Sequence, residues 1–294
     1  MAGTQPQPFG PDAPTDAFDG RSRWWWWIVV VAVAAVVVLL VLQPWSEHQT
    51  EPPPTDSPSS ASDVPTGPSP TPSTTAAPPA TAVPVPGAEA VFDEDSVGTL
   101  FVTDADLAAA VPAAADGVLP GIGPGELTWG LPEGSTIDPE SCTTAVTIVA
   151  EEPDAFDARS SANDKLSWEQ RVTVLADGDA ARDAFRDLVT TVDACPTYAQ
   201  VNLGIDGSRW TAEPAVEGLG AYPSIVQEIT QDSEGQTLPA YRGHMLVGNT
   251  IVTWTATSLD TGANQDAALA TLGDPSSLDA MVQARAQQAV EGLG

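Results

Sequence analysis

Apolar and polar positions follow two periods in the second half of this 294-residue chain. Leu166, Trp168, Val172 and Val174 alternate with Ser167, Glu169, Arg171 and Thr173, which predicts a half-buried strand over Leu166–Ala176. Over Asp179–Ala194 the spacing changes to three and four. Ala181, Ala184, Phe185, Leu188, Val189 and Val192 form one stripe, while Asp179, Arg182, Asp183 and Arg186 fall outside it. That is an amphipathic helix with a solvated, charge-paired face. Strand-like pieces follow at Thr197–Leu203, Arg209–Pro214 and Ser224–Thr230. Then Tyr241–Val247 and Thr250–Ala256 flank Gly248-Asn249, a two-residue hairpin signal. Such a turn pairs Val247 with Thr250, Met245 with Val252, Gly243 with Trp254 and Tyr241 with Ala256. One hairpin face is then apolar, with Gly243 leaving room for the Trp254 ring. The other carries Arg242, His244, Thr253 and Thr255, with Leu246 and Ile251 near the turn.

Thr103 followed by Asp106 marks the start of a short helix that ends near Pro112, and Leu127–Trp129 reads as a short strand. Pro275 opens a last helix whose inner stripe is Leu278, Met281, Val282, Ala286, Ala289 and Val290. From about residue 97 the pattern is that of one globular domain of strands and helices, large enough for a sizeable core. Gly and Pro crowd Pro120–Gly125, a loop.

Ahead of this domain the pattern is of another kind. Trp24–Leu42, WWWWIVVVAVAAVVVLLVL, has no charged residue and as a helix would be roughly 28 Å long, close to a bilayer core. Trp24–Trp27 and Trp45 bracket it, at the depth where indole rings anchor. Arg21 and Arg23 precede it and the next basic residue is Arg159, which places residues 1–23, a disordered tail, in the cytoplasm and the remainder outside. A cleaved signal peptide is the competing reading; the length of the run and the absence of a small-x-small site after it oppose that. Residues 43–96 are rich in Pro, Ser and Thr and form an extracellular linker that favours polyproline II. Residues 44–90 of it would reach on the order of 145 Å if fully extended. The expected location is therefore the cell membrane, as a single-pass protein with its C-terminal domain outside.

Charge narrows the function classes. Ten Lys plus Arg stand against 40 Asp plus Glu, a net charge of −30. Nucleic acid is an unsuitable partner for so acidic a chain. Cys142 and Cys195 are the only cysteines. In an extracytoplasmic domain an even count reads as a disulfide; a pair of reactive thiols is the alternative, without the spacing of a redox motif. The two histidines, His48 in the linker and His244 on a strand, serve no recognisable catalytic or metal motif. Asp93-Glu94-Asp95 and Asp177-Gly178-Asp179 match no calcium loop and read as a linker exit and a turn. No cofactor, metal site or enzymatic activity is expected.

Several of these features occur together in one family. FVTDADLAAA at Phe101–Ala110, Cys142 after Asp138-Pro139, the Trp168–Leu175 strand, DAARDAFRDLVTTVDAC ending at Cys195, Gly207 to Trp210, LVGNTIVTW and the closing helix resemble the PknH-like extracellular sensor domain family of actinobacteria. The resemblance covers roughly residues 97–293. It implies a single α+β domain over 97–294, an antiparallel β-sheet packed with two or three helices, and a cleft for an extracellular ligand; in the kinase that names the family, an intracellular kinase reports the state of this domain. This chain departs from the pattern by having no kinase, and one cysteine pair where the kinase's sensor domain has two.

Two functions follow as expectations. One is an anchored sensor or ligand-binding module, with Arg242, His244, Thr253 and Thr255 as the candidate surface, because Arg242 among hydroxyls suits an anionic or carbonyl group. The other is a structural or interaction protein of the cell envelope that binds a protein or wall polymer. Against the candidate surface stands a plainer reading, that of an ordinary solvated sheet face. The ligand class stays open between small molecule, protein and wall polymer.

Overall fold

The computed structural model describes residues 87–202, 207–233 and 235–294. The predicted tail over 1–23, the predicted membrane span over 24–42, His48 and the linker as far as residue 86 lie outside the described residues. Among the described residues no helix is long and apolar enough to cross a membrane.

The hairpin at Gly248-Asn249 is the centre of the fold. Strands β9 (Gln236–Val247) and β10 (Thr250–Ser258) pair in the predicted register, with Val247 opposite Thr250 and Gly243 opposite Trp254. Gly248 supplies the positive φ of the turn, 55°, and a Cβ there would sit 2.0 Å from the Ala90 carbonyl oxygen. At Gly243 a Cβ would come within 2.3 Å of the Trp254 ring. The missing side chain is what lets the indole lie flat on the strand. Trp168 of β4 (Leu166–Val174) stacks on it, with centroids 5.5 Å apart.

From this hairpin the sheet extends both ways, antiparallel throughout the described residues. The remaining strands are β1 (Leu119–Pro120), β2 (Thr136–Asp138), β3 (Ala155–Ala162), β5 (Thr197–Val201), β6 (Arg209–Ala212), β7 (Val216–Glu217) and β8 (Ser224–Ser233). Their order is β1-β3-β4-β10-β9-β8-β6-β5-β2. One edge of β8 is shared: β6 pairs with its second half and β7 with its beginning. Pro214 lies between β6 and β7, and without an N–H it cannot continue the ladder.

One face of the sheet carries the largest core. Over it lie α1 (Asp104–Ala110), α4 (Gln265–Ala270) and α5 (Pro275–Gly292), whose Leu107, Leu269, Leu278, Val282 and Ala286 are buried with Trp168, Met245, Val252 and Trp254. The predicted capping box is present: Asp106 N–H donates to Thr103 Oγ1, and Thr103 N–H donates to the Asp106 carboxylate. The opposite face carries α3 (Gly178–Ala194). Asp177 caps it by accepting from the Asp179 and Ala180 N–H groups. Its Ala181, Phe185, Leu188 and Val192 are buried with Ile225, Leu246 and Ile251. Beside it the single turn α2 (Thr144–Thr147) follows Cys142, which is disulfide-bonded to Cys195, 53 positions away. The bridge is buried with Tyr198, Trp210, Ile229 and Ala240.

Three expectations need correction. Leu127–Trp129 is no strand; Gly125, Gly130 and Gly134, all at positive φ, turn the chain there, and Trp129 Nε1 donates to the Thr147 carbonyl. Beyond the three predicted helices there is a fourth longer than one turn, α4, capped by Asn264. The polar hairpin face is no open solvated surface, because α3 and the disulfide-linked segment cover part of it.

Candidate functional site

Register brings the polar side chains of three strands into rows. Thr253 of β10 lies between Arg171 of β4 and His244 of β9, and Thr255 lies between Glu169 and Arg242. The next row holds Ser167, Thr257 and Ala240. Successive side chains on a strand point to opposite faces, so all of these lie opposite the Trp168–Trp254 stack. Where α3 stops covering this face, the rows open into a cleft of about 330 Å³.

Glu169, Arg171, Arg242, Thr253, Thr255 and Thr257 line the cleft on the sheet side. Ala145, Val146 and Ile148, just after Cys142, form one wall, and Gln200, five residues after Cys195 on β5, and Trp210 of the neighbouring β6 belong to the lining too. The disulfide thus ties together two parts of the cleft lining. Ile148 has φ +72°, a conformation that β-branched residues avoid, and it is held there by burial among Phe185, Leu188 and the other residues under α3. A second hollow of about 260 Å³ adjoins, under Leu127–Pro132, and shares Val146, Ile148, Arg171 and Gln200.

The charged groups of the cleft are two guanidiniums and one carboxylate. Arg171 is paired with Glu169 on its own strand. Arg242 donates to Tyr198 Oη at 2.6 Å, and Tyr198 in turn stacks on Trp210, centroids 5.3 Å apart. Trp210 Nε1 is buried without an acceptor. A guanidinium has five donors, so each arginine keeps donors for a ligand, and the threonine hydroxyls both donate and accept.

The structure brings Arg242, Thr253 and Thr255 together in this cleft and places His244 outside it. His244 has 0% of its surface exposed. Its Nδ1 is 3.0 Å from Thr253 Oγ1 and its Nε2 has no partner. Burial, and then the charge of Arg242, depress its pKa to about 3, so the ring is neutral at ordinary pH. It fixes the Thr253 hydroxyl from below. Its neighbours Ile225 and Leu246 belong to the cluster under α3, which is why one residue of the row is sealed while Arg242, two positions away, lines the cleft. Sequence reasoning did not find Glu169, Arg171, Gln200, Trp210 or the Ala145–Ile148 wall as parts of a site. The first two were legible as one face of a strand, but nothing local to β4 says that it pairs with β10. Among the described residues no group of three or more His, Cys, Asp or Glu is placed to hold a metal ion.

Comparison with protein-family profiles and with curated protein sequences gives no match. Among solved structures, the described domain is similar to the extracellular domain of PknH from Mycobacterium tuberculosis. The TM-score is 0.51 at 17% identity, covering 69% of this chain and 99% of that one. A structure of the Mycobacterium smegmatis ortholog of Rv0999 aligns with a TM-score of 0.31 at 15% identity, covering 56% of this chain and 86% of that one, too distant to carry an argument. The described residues therefore have the fold of a PknH-like extracellular domain.

Proposed function

We propose that this protein is a membrane-anchored, extracytoplasmic sensor or ligand-binding protein without catalytic activity of its own, and that its ligand is a small molecule with an anionic group held between Arg171 and Arg242. The observation that carries this reading is the cleft's charge. A chain with four acids for every base places two of its ten basic residues, with threonine hydroxyls between them, in one small cleft. Guanidinium groups in such a setting recognise carboxylates and phosphates by charge-assisted, often bidentate, hydrogen bonds. The volume is at the small end of ligand sites.

Binding is favoured over turnover by what the cleft offers. The neighbouring His244 is sealed, neutral and turned to Thr253, and the cleft's carboxylate, Glu169, is committed to Arg171. Neither is free to take a proton from a bound molecule. The likeness of fold to the extracellular domain of PknH supports an extracytoplasmic role, and the apolar stretch Trp24–Leu42 supports the anchor. In this reading a signal passes inward through a partner with a cytoplasmic output.

Thermal-shift screening of the full chain in lipid nanodiscs, against sugar phosphates, dicarboxylates and soluble wall fragments, tests the proposal. The expected hits carry phosphate or carboxylate and lose their stabilising effect in Arg242→Ala and Arg171→Ala. A hit that stabilises both variants as it does the parent would place binding elsewhere, and a screen in which only neutral or cationic compounds register would overturn the anionic assignment.

A further inference from the structure

On the other side of the sheet a larger hollow, about 650 Å³, runs between the segment 213–220 and the first turns of α5. Its surface is mostly apolar: Pro214, Val216, Leu219, Val226, Tyr241 and Ala280 contribute to it. Leu219 is 96% exposed at its edge, an unusual position for a leucine in a folded domain without something to cover it. The charged residues of the lining are Glu213, Glu217, Glu228 and Asp279; no Lys, Arg or His is among them.

Asp279 is the built part of this hollow. It projects from the start of α5 and is 3% exposed. Its Oδ2 accepts from Ser224 Oγ at 3.0 Å and from Gln283 Nε2 at 3.4 Å, while its Oδ1 is buried with no partner. Burial raises its pKa, partly offset by those hydrogen bonds. The loop above it is held in place by the same helix: Gln283 accepts from Tyr222 N–H and donates to the Tyr222 carbonyl. A Cβ at Gly218 would lie 2.0 Å from Ser224 Oγ, and one at Gly220 would lie 2.1 Å from the Gln283 amide carbon. Glycine on both sides of Leu219 lets the loop backbone press onto this polar network, with the leucine side chain turned out to the rim.

We propose that this groove is a second binding site, distinct from the polar cleft, and that its ligand is a hydrophobic amine. The apolar body lies on Val226, Leu219 and Tyr241, and the ammonium faces Asp279 and the surrounding glutamates. Charge complementarity selects this occupant. A carboxylate or phosphate would meet only like charges, and a neutral apolar body would leave the Asp279 oxygen unsatisfied. An ammonium supplies up to three donors, and the Tyr241 ring offers a face on which a cation is attracted. The volume suits a small organic ligand.

The test is equilibrium binding to the full chain in lipid nanodiscs, with empty nanodiscs as the blank. The probes are three primary amines, with phenylbutyl, naphthylmethyl and hexyl bodies, each beside the carboxylate of the same body. The expected result is saturable binding of at least one amine and none of its acid counterpart, weakened by added salt. Asp279→Asn keeps the shape and the Ser224 contact and should weaken the amine by about tenfold, the order for one charge-assisted hydrogen bond. Glu217→Gln and Leu219→Ser, both at exposed positions, should weaken it less and leave folding unchanged, while Arg242→Ala should leave amine binding intact. If no amine binds more tightly than its acid, or if the Asp279, Glu217 and Leu219 variants all bind as the parent does, the proposal is overturned. Loss of amine binding in Arg242→Ala would assign the probe to the polar cleft and overturn it equally.

Discussion

The two faces of the sheet hold hollows of opposite chemistry. The polar cleft is small, lined by arginines and hydroxyls, and walled by the disulfide-linked segments. The groove beside α5 is about twice its volume, apolar on its floor and surrounded by carboxylates. Alternation along the same strands builds both. Arg242 faces the cleft and Tyr241, the residue before it, faces the groove; Trp254 fills the core and Thr255 lines the cleft. The difference shows how a sheet covered on both sides divides its labour. The face under α5 holds the largest core and leaves an apolar groove beside the helix, and the face under α3, only partly covered, leaves polar groups exposed.

The strongest test of this division compares neighbours on β10. Trp254→Ala should destabilise the domain by ~3–5 kcal/mol, since it removes a fully buried ring and leaves Trp168 facing a void. Equal unfolding midpoints for the variant and the parent would refute it. Removing the disulfide by Cys142→Ser with Cys195→Ser should cost ~2–4 kcal/mol. It should also weaken ligands of the polar cleft, two parts of whose lining the bridge ties together, while leaving amine binding in the groove unchanged. An effect on both sites alike would show that the two faces are coupled.

Acid titration distinguishes the faces more finely. The folded state holds His244 neutral down to about pH 3, whereas the unfolded chain takes up a proton near its ordinary value. Between those limits the unfolded state binds more protons, so stability is lost as pH falls, by about 1.4 kcal/mol per unit below ~6.5. In denaturant titrations at pH 6.5 and 4.5, the parent should therefore lose about 2–3 kcal/mol more than His244→Leu does; parallel losses would deny His244 this role. The smallest effect on folding belongs to Thr255→Val, below about 0.5 kcal/mol. Its effect should instead appear in ligand affinity at the cleft, and a large drop in melting temperature would mean that Thr255 is a structural residue.

Much of this architecture was legible in the sequence where a local rule fixes a distant consequence. A two-residue turn at Gly248-Asn249 sets every pairing of β9 with β10, so Gly243 could be placed under Trp254 from spacing alone. The stripes of α3 and α5 follow from their period. β3 was not legible, because AFDARSSA is half-buried along nearly its whole length and shows no alternation. The candidate site was legible by phase and illegible by extent. Arg242 and His244 share a face, but how far α3 reaches along it is decided by packing, and that separates a cleft residue from a sealed one. Arg171 belongs to the site only because β4 pairs with β10, a juxtaposition that no spacing within either strand encodes. Asp279 and Gln283 lie beside the apolar stripe of α5 and read as ordinary helix-surface residues, until the loop at Tyr222 is placed over them.

Asn249 does more than close the central turn. Its side chain accepts from Phe92 N–H at 2.8 Å and donates to the carbonyls of Phe92 and Leu175, and its own N–H donates to the Ala90 carbonyl. Phe92 is buried in the main core. The chain therefore enters its domain bolted to the tip of the β9–β10 hairpin, the two strands that carry Arg242, Thr253 and Thr255. In mechanical terms the load path is short: a pull on Ala90–Phe92 is carried by these hydrogen bonds straight into the strands of the polar cleft.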